Sequence, residues 1–257
     1  MAFRWRNLVA GLTVVPLAIA VAGCSRKTKI VYVPAPPPPP PITAPTQTPP
    51  PATKPAPPTV STAGDSADIE FVATHTPVSS EEGLASWYGP PYHNRKAANG
   101  QIFDQNAMTA AHRTLPLNSL IKVTNMQSGQ SVVVRVTDRG PFVQGRVLDL
   151  SMASAKAAGV WRPGVAKVRV DVYQTPSPIA EGGRWCVQVG AFKDEDEALK
   201  LRDHLLRKYR TANVIEFTGP TGHWVRIRPQ ADDKKKAFEI AADLTPAEGN
   251  AYLVRLD

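Results

Sequence analysis

Ser131-Val-Val-Val-Arg-Val-Thr-Asp-Arg-Gly-Pro-Phe142 reads as an apolar strand that stops abruptly. β-branched residues favour the pleated conformation up to Val136, and Gly140-Pro141 cannot continue a ladder, so Asp138 sits where a strand end meets a tight turn. Similar alternation marks Leu120-Ile-Lys-Val-Thr-Asn125, Arg146-Val-Leu-Asp-Leu150 and Ala166-Lys-Val-Arg-Val-Asp-Val-Tyr173, with a turn at Gln127-Ser-Gly-Gln130. Short strands split by turns predict a small all-β barrel or sandwich. Within it, Ser151 to Gly159 predicts one helix, capped by Ser151 and stopped by Gly159.

Beyond residue 181 the pattern changes. Arg184-Trp-Cys-Val-Gln-Val-Gly-Ala-Phe192 alternates like a strand, and Asp194-Glu-Asp-Glu197 then favours a helix N-terminus. Ala198, Leu201, Leu205 and Leu206 follow at helical spacing. Strands at Val214–Thr218 and His223–Arg228, split by Gly219-Pro-Thr-Gly222, a helix from Asp232 to Leu244 and a strand from Ala251 to Leu256 complete a βαββαβ order. The two halves repeat, since Val187-Gln-Val precedes one helix as Val225-Arg-Ile precedes the other. A sheet with helices on one face leaves the other face free, and Gln188 and Trp224 are placed to line it.

Arg4 and Arg6 precede an apolar stretch that runs to Val21 and ends at Val21-Ala-Gly-Cys-Ser25. This is the layout of a secretory signal, and Gly11 and Pro16 interrupt a stretch already too short for a spanning helix. From Pro34 to Pro58 lie fourteen of the 26 prolines, six of them consecutive. Such a segment is extended polyproline II, a spacer of about 3.1 Å per residue, or alternatively a ligand for a proline-binding module. Residues 59 to 82 read as further linker. The predicted divisions are residues 1–23 as signal, 24–82 as modified cysteine and linker, 83–176 as barrel and 181–257 as the second domain.

Residues 83–174 hold eleven Lys and Arg against four acids, a net of +7, whereas residues 181–257 hold thirteen of each. The formal charge of +8 therefore sits almost wholly on the barrel. A basic exported domain can meet acidic wall polymers or anionic lipid, and export makes nucleic acid the least expected partner. Nothing like Gly-x-Ser-x-Gly surrounds Ser86, and His75, His93 and His112 lack metal-site spacing. No metal and no cofactor is expected. Cys186 reads as a buried small residue.

Five segments in order carry a resemblance: Ala85-Ser-Trp-Tyr-Gly89, Ala98-Asn-Gly-Gln-Ile-Phe-Asp104, Thr109-Ala-Ala-His-Arg-Thr-Leu-Pro116, Val136-Thr-Asp-Arg-Gly-Pro-Phe142 and Gly145-Arg-Val-Leu-Asp-Leu-Ser151. Together they resemble the rare lipoprotein A (RlpA) family of bacterial cell-wall proteins. The resemblance implies a six-stranded double-psi β-barrel that acts as a lytic transglycosylase, a lyase that cuts peptidoglycan glycan after N-acetylmuramic acid and leaves an anhydro ring. The βαββαβ unit, a ferredoxin- or RNP-like topology, resembles a SPOR domain, which binds glycan strands stripped of peptide, often at division septa. RNA-recognition modules share that topology, but their sheet signatures are not evident here. Val21-Ala-Gly-Cys24 resembles the lipobox of bacterial lipoproteins, which implies cleavage before Cys24, a lipid on it and a place in the cell envelope.

The resemblance names Asp138 as the acid/base and His112 as the second polar group of the site. From the residues alone, Asp138 could equally cap its turn or pair with Arg139. Trp87 and Tyr88 offer flat faces for sugar rings or, alternatively, fill the barrel core. Gln101 stands where the family usually has Glu, and can hydrogen-bond a sugar but not exchange a proton. Asp104 and Asp149 are neighbouring acids with equally plausible roles at turns or strand ends. In the second domain Arg228-Pro-Gln230 replaces the family's usual Gly-Pro-Phe. A non-catalytic glycan-binding lipoprotein is therefore the alternative function.

Overall fold

The computed structural model describes residues 66–216, 222–244 and 250–257. Cys24, the preceding apolar stretch, the proline segment and most of the Gly219–Gly222 turn lie outside the described residues. Among the described residues no helix is long and apolar enough to cross a membrane.

Six strands close a barrel: β1 (Ser79–Tyr88), β2 (Thr109–His112), β3 (Leu120–Asn125), β4 (Ser131–Asp138), β5 (Arg146–Ser151) and β6 (Ala166–Gln174). Their order around the barrel is β1-β5-β2-β4-β3-β6, with parallel pairing of β1 to β5 and of β2 to β4. The interior is filled by the β-branched and leucine side chains of the alternating sequence, among them Val123, Val134, Leu148, Leu150 and Val170. Helix α2 (Met152–Ala157) begins as the sequence predicts: Ser151 Oγ accepts a hydrogen bond from Ser154 N. Gly159 ends the turn with φ +67°, a conformation that a side chain resists.

The linker expected to reach residue 82 is shorter than that. Helix α1 (Ser66–Thr74) and the first four residues of β1 occupy its end. Val72 packs with Leu120 and Val133 on the barrel exterior, and Asp68 takes the Arg135 guanidinium through both carboxylate oxygens. Polar composition concealed the helix because a single apolar stripe and one ion pair are enough to dock it. Asp68→Ala is expected to lower stability by about 1 kcal/mol, measured by chemical unfolding, since the pair is bidentate but half in solvent.

The second domain has a four-stranded sheet ordered β10-β7-β9-β8, from β7 (Trp185–Phe192), β8 (Asn213–Glu216), β9 (His223–Ile227) and β10 (Ala251–Arg255). Helices α3 (Glu195–Leu206) and α4 (Lys234–Asp243) cover one face, capped by Asp194 and Asp233. Their apolar stripes, including Leu201, Leu205 and Ala237, meet Trp185, Val187 and Val225 in a separate core. The predicted βαββαβ order is the observed one.

Barrel and second domain lie within one compact unit. Arg255 N donates to Arg113 O at 2.9 Å, and Leu117 N to Asp257 O at 3.2 Å. The sheet face expected to be free is covered: Gln188 and Cys186 are 0% exposed and Trp224 1%. Helices cover one side of the sheet and the barrel covers the other.

Candidate active site

Pleating decides which of the predicted residues can meet. Successive residues of a strand point to opposite faces, so cross-strand partners share a face and sequence neighbours do not. Ala111 of β2 pairs with Asp138 of β4 on one side and with Asp149 of β5 on the other. Ser86 of β1 pairs in turn with Asp149. Ser86, Asp149, Ala111 and Asp138 therefore form a row across four strands on the outer face of the barrel. Two strand spacings separate the two aspartates, about 10 Å between Cα atoms.

Asp149, Ala111 and Asp138 of that row are the floor of a cleft of about 530 Å³. Tyr88 lies two residues beyond Ser86 on the same face and lines the cleft with both aspartates and Phe142. Its ring stacks on Phe103 with centroids 4.3 Å apart, which fixes it against the loop that follows β1. Its buried hydroxyl has the Thr109 hydroxyl as a polar neighbour. Burial, reinforced by the negative charge of Asp138 and Asp149, pushes the phenol well above its ordinary range, so it is a neutral donor between two carboxyls.

Asp138 is held by two backbone donors. Ala98 N lies 3.0 Å and Arg139 N 2.8 Å from its Oδ1. Burial nevertheless pushes its carboxyl above the usual carboxylate range, against those donors and the charge of Arg139. In the conflict between a basic domain and a buried acid, burial wins. Asp149 is raised for the same cause, opposed by Arg146 and by Ser86, whose hydroxyl donates to Asp149 Oδ1 at 2.6 Å. Gly140, at φ +149°, gives this end of the row a backbone conformation that a side chain resists.

Other predicted residues fall elsewhere. Trp87, next to Tyr88, faces the other way and packs against the barrel core. His112, next to Ala111, pairs with Leu148 and is buried on the inner face. Its Nδ1 accepts from Thr114 N and Leu115 N, at 3.2 and 2.9 Å, and its Nε2 donates to Glu81 at 2.7 Å. Both ring nitrogens are thus engaged away from the cleft. Gln101 is exposed, its backbone and amide tied to Asn99 in a surface turn. Asp104 is exposed and accepts from Asn106 N, an Asx turn.

Arg139 was expected as a possible ion partner of Asp138, but its guanidinium leaves in another direction. It donates to His112 O, Leu115 O and Asp257 O at 3.0, 2.8 and 2.6 Å. Burial, with Arg255 close by, brings its pKa down to about 10. Ile215, Trp224, Arg226 and Leu256 of the second domain complete the cleft opposite the aspartates. Of these the sequence named Trp224 alone; Ile215, Arg226 and Leu256 were missed, and no local signal in either domain announces the wall they form.

A family model described as lytic transglycolase matches residues 80–170, and a SPOR domain model matches residues 181–255. The fold that defines this class is present, a six-stranded barrel of the double-psi kind followed by a SPOR domain. With many RlpA relatives at 35 to 59% identity, the chain matches the RlpA family. The probable endolytic peptidoglycan transglycosylase RlpA of Synechocystis sp. is 59% identical over 92 residues, 36% of this chain and 29% of that protein. The endolytic peptidoglycan transglycosylase RlpA of Campylobacter jejuni is 40% identical over 161 residues, 53% of this chain and 57% of that protein. The Vibrio cholerae protein of the same name is 38% identical over 161 residues, 60% of this chain and 61% of that protein. The chain thus spans between 29% and 61% of the length of these relatives.

Proposed function

We propose that the chain is a peptidoglycan lytic transglycosylase that cuts peptide-free glycan strands during wall remodelling or division, with Asp138 as its acid/base. The observation that carries this reading is a buried carboxyl with a raised pKa on the floor of a cleft, beside a second carboxyl and a neutral phenol. A protonated Asp138 gives its proton to the glycosidic oxygen as the C1–O bond breaks, the electron pair leaving with that oxygen. The C6 hydroxyl of the same sugar closes on C1 and its proton returns to Asp138. No external water and no enzyme nucleophile is consumed, so one carboxyl can serve both half-steps. Asp149 across Ala111 is positioned to offset positive charge developing at C1, and Tyr88 to donate to a sugar oxygen.

The mature chain, on this reading, is anchored in the cell envelope by lipid on Cys24, carried outward by its proline spacer and brought to glycan by the SPOR domain, with division-site proteins as further partners. The small residues before Cys24 and the six consecutive prolines support it. The rival, a non-catalytic glycan binder, rests on Gln101, which lies in an exposed turn and not on the cleft floor.

The test is to incubate the protein with purified peptide-free strands and look for anhydro-ended fragments by mass spectrometry. Binding without products sinks the enzyme reading. Tyr88→Phe is expected to keep the fold and reduce turnover about tenfold or more, seen as a drop in kcat in the same assay.

A further inference from the structure

The residues that make the second domain's open face are on the side away from α3 and α4: Cys186 and Gln188 on β7, Trp224 and Arg226 on β9, and Tyr252 on β10. They alternate with Val187, Val225 and Leu253, which face the helices. An exposed face would be expected of a sheet that meets a polymer, yet this one is occupied. The occupant is the barrel's own loop. Phe142 places its ring 5.0 Å from that of Trp224 and 5.8 Å from that of Tyr252, while the Arg113 guanidinium lies 5.6 Å over the Tyr252 ring. Arg139 and Asp257 lock the same seam.

The seam is well anchored at its edge and poorly satisfied at its centre. The Trp224 indole N–H, the Gln188 amide nitrogen and the Nε of Arg226 are buried without hydrogen-bond partners among the described residues. On the barrel side the Nε of Arg139 shares that state, while the Nε of Arg146 faces Asp149 Oδ1 at 3.6 Å. All four unpaired groups are donors. An apolar ring such as Phe142 excludes water from them and offers no acceptor, whereas the hydroxyl, ether and carbonyl oxygens of a glycan strand offer many. A permanent interface would pair these groups; an exchangeable one leaves them for its ligand.

We infer that Phe142 occupies the second domain's strand-binding face as an intramolecular stand-in, so that the docked chain masks that face and, with the same contact, roofs the cleft over Asp138 and Asp149. A strand that binds the sheet displaces Phe142 and uncovers the cleft in one event. The docked and undocked forms then follow a two-state equilibrium in which glycan pays for undocking, and its apparent affinity is reduced by the undocked fraction. This inference rests on the glycan reading of the previous subsection.

The test uses the full chain and peptide-free glycan strands. Phe142→Asp places a charge against the Trp224 and Tyr252 rings, and Phe142→Ala, which removes the masking ring alone, serves should the first variant fold poorly. Expected are increased acrylamide quenching of Trp224 without ligand, isolated by subtraction of a Trp224→Phe control, and glycan binding about tenfold tighter, as for a chain docked about nine-tenths of the time. Glycan added to the natural chain should also raise its radius of gyration in X-ray scattering. Exposed Trp224 with unchanged affinity overturns the mask, as does binding to the natural chain with no expansion. Exposed Trp224 with no glycan binding in any variant overturns it too, and sinks the glycan reading with it.

Discussion

Asp138→Asn is expected to lower the formation of anhydro-ended fragments by about a thousandfold, within the range that general acid–base groups contribute. The amide keeps an oxygen for the N–H groups of Ala98 and Arg139, so the loop retains its support. Only the transferable proton is lost. Stability should move the other way. A carboxyl with a raised folded pKa holds its proton more tightly folded than unfolded. Its penalty is absent below the ordinary carboxylate range, grows as pH rises toward the folded value, and persists above it. Asparagine carries no such penalty, so the Tm of Asp138→Asn at neutral pH should equal or exceed that of the natural chain, while the two converge at acid pH. A variant that is inactive and less stable at neutral pH would falsify the assignment of a buried, proton-sharing acid. The same raised pKa predicts that kcat falls as pH climbs past it, as the acid form empties.

Arg139→Met should have the largest effect on stability, about 3 kcal/mol or more by chemical denaturation. Methionine fills much of the volume but leaves the carbonyls of His112, Leu115 and Asp257 without the charged donor that joins them. Hydrogen bonds to charged groups are worth about 1.5–3 kcal/mol each, and two of these acceptors belong to the turn behind β2. Lysine should restore only part of the loss, because one ammonium cannot reproduce the spread of a guanidinium over three carbonyls. A loss below 1 kcal/mol would show that water reaches these carbonyls when the side chain is removed.

Much of this molecule is readable from its alternation. The strand ending at Asp138, the cap at Ser151, the stop at Gly159 and the βαββαβ order are local, and local chemistry reports them. The site was legible only in part because adjacent residues of a strand cannot be told apart by composition. Trp87 and Tyr88 are both aromatic, and Ala111 and His112 are neighbours; strand parity sends one of each pair into the barrel and the other into the cleft. Parity follows from register, and register depends on bulges such as that between Ala110 and Ala111, which no single segment reveals. Asp149 had a usable signal, an acid alternating with buried Leu148 and Leu150. The contacts of Arg139 and Phe142 had none, since both reach partners more than eighty residues away. Helix α1 escaped because it docks through a short apolar stripe around Val72 and one ion pair at Asp68.

Ala111 has a consequence of a different kind. It sits on the strand between the two that carry the carboxyls, and it lines the cleft with them. Between the two acids the side chain lining the groove is a single carbon. Replacing that methyl with isopropyl would leave every titrating group in place and narrow the space between them, so what the groove admits could be changed by size alone.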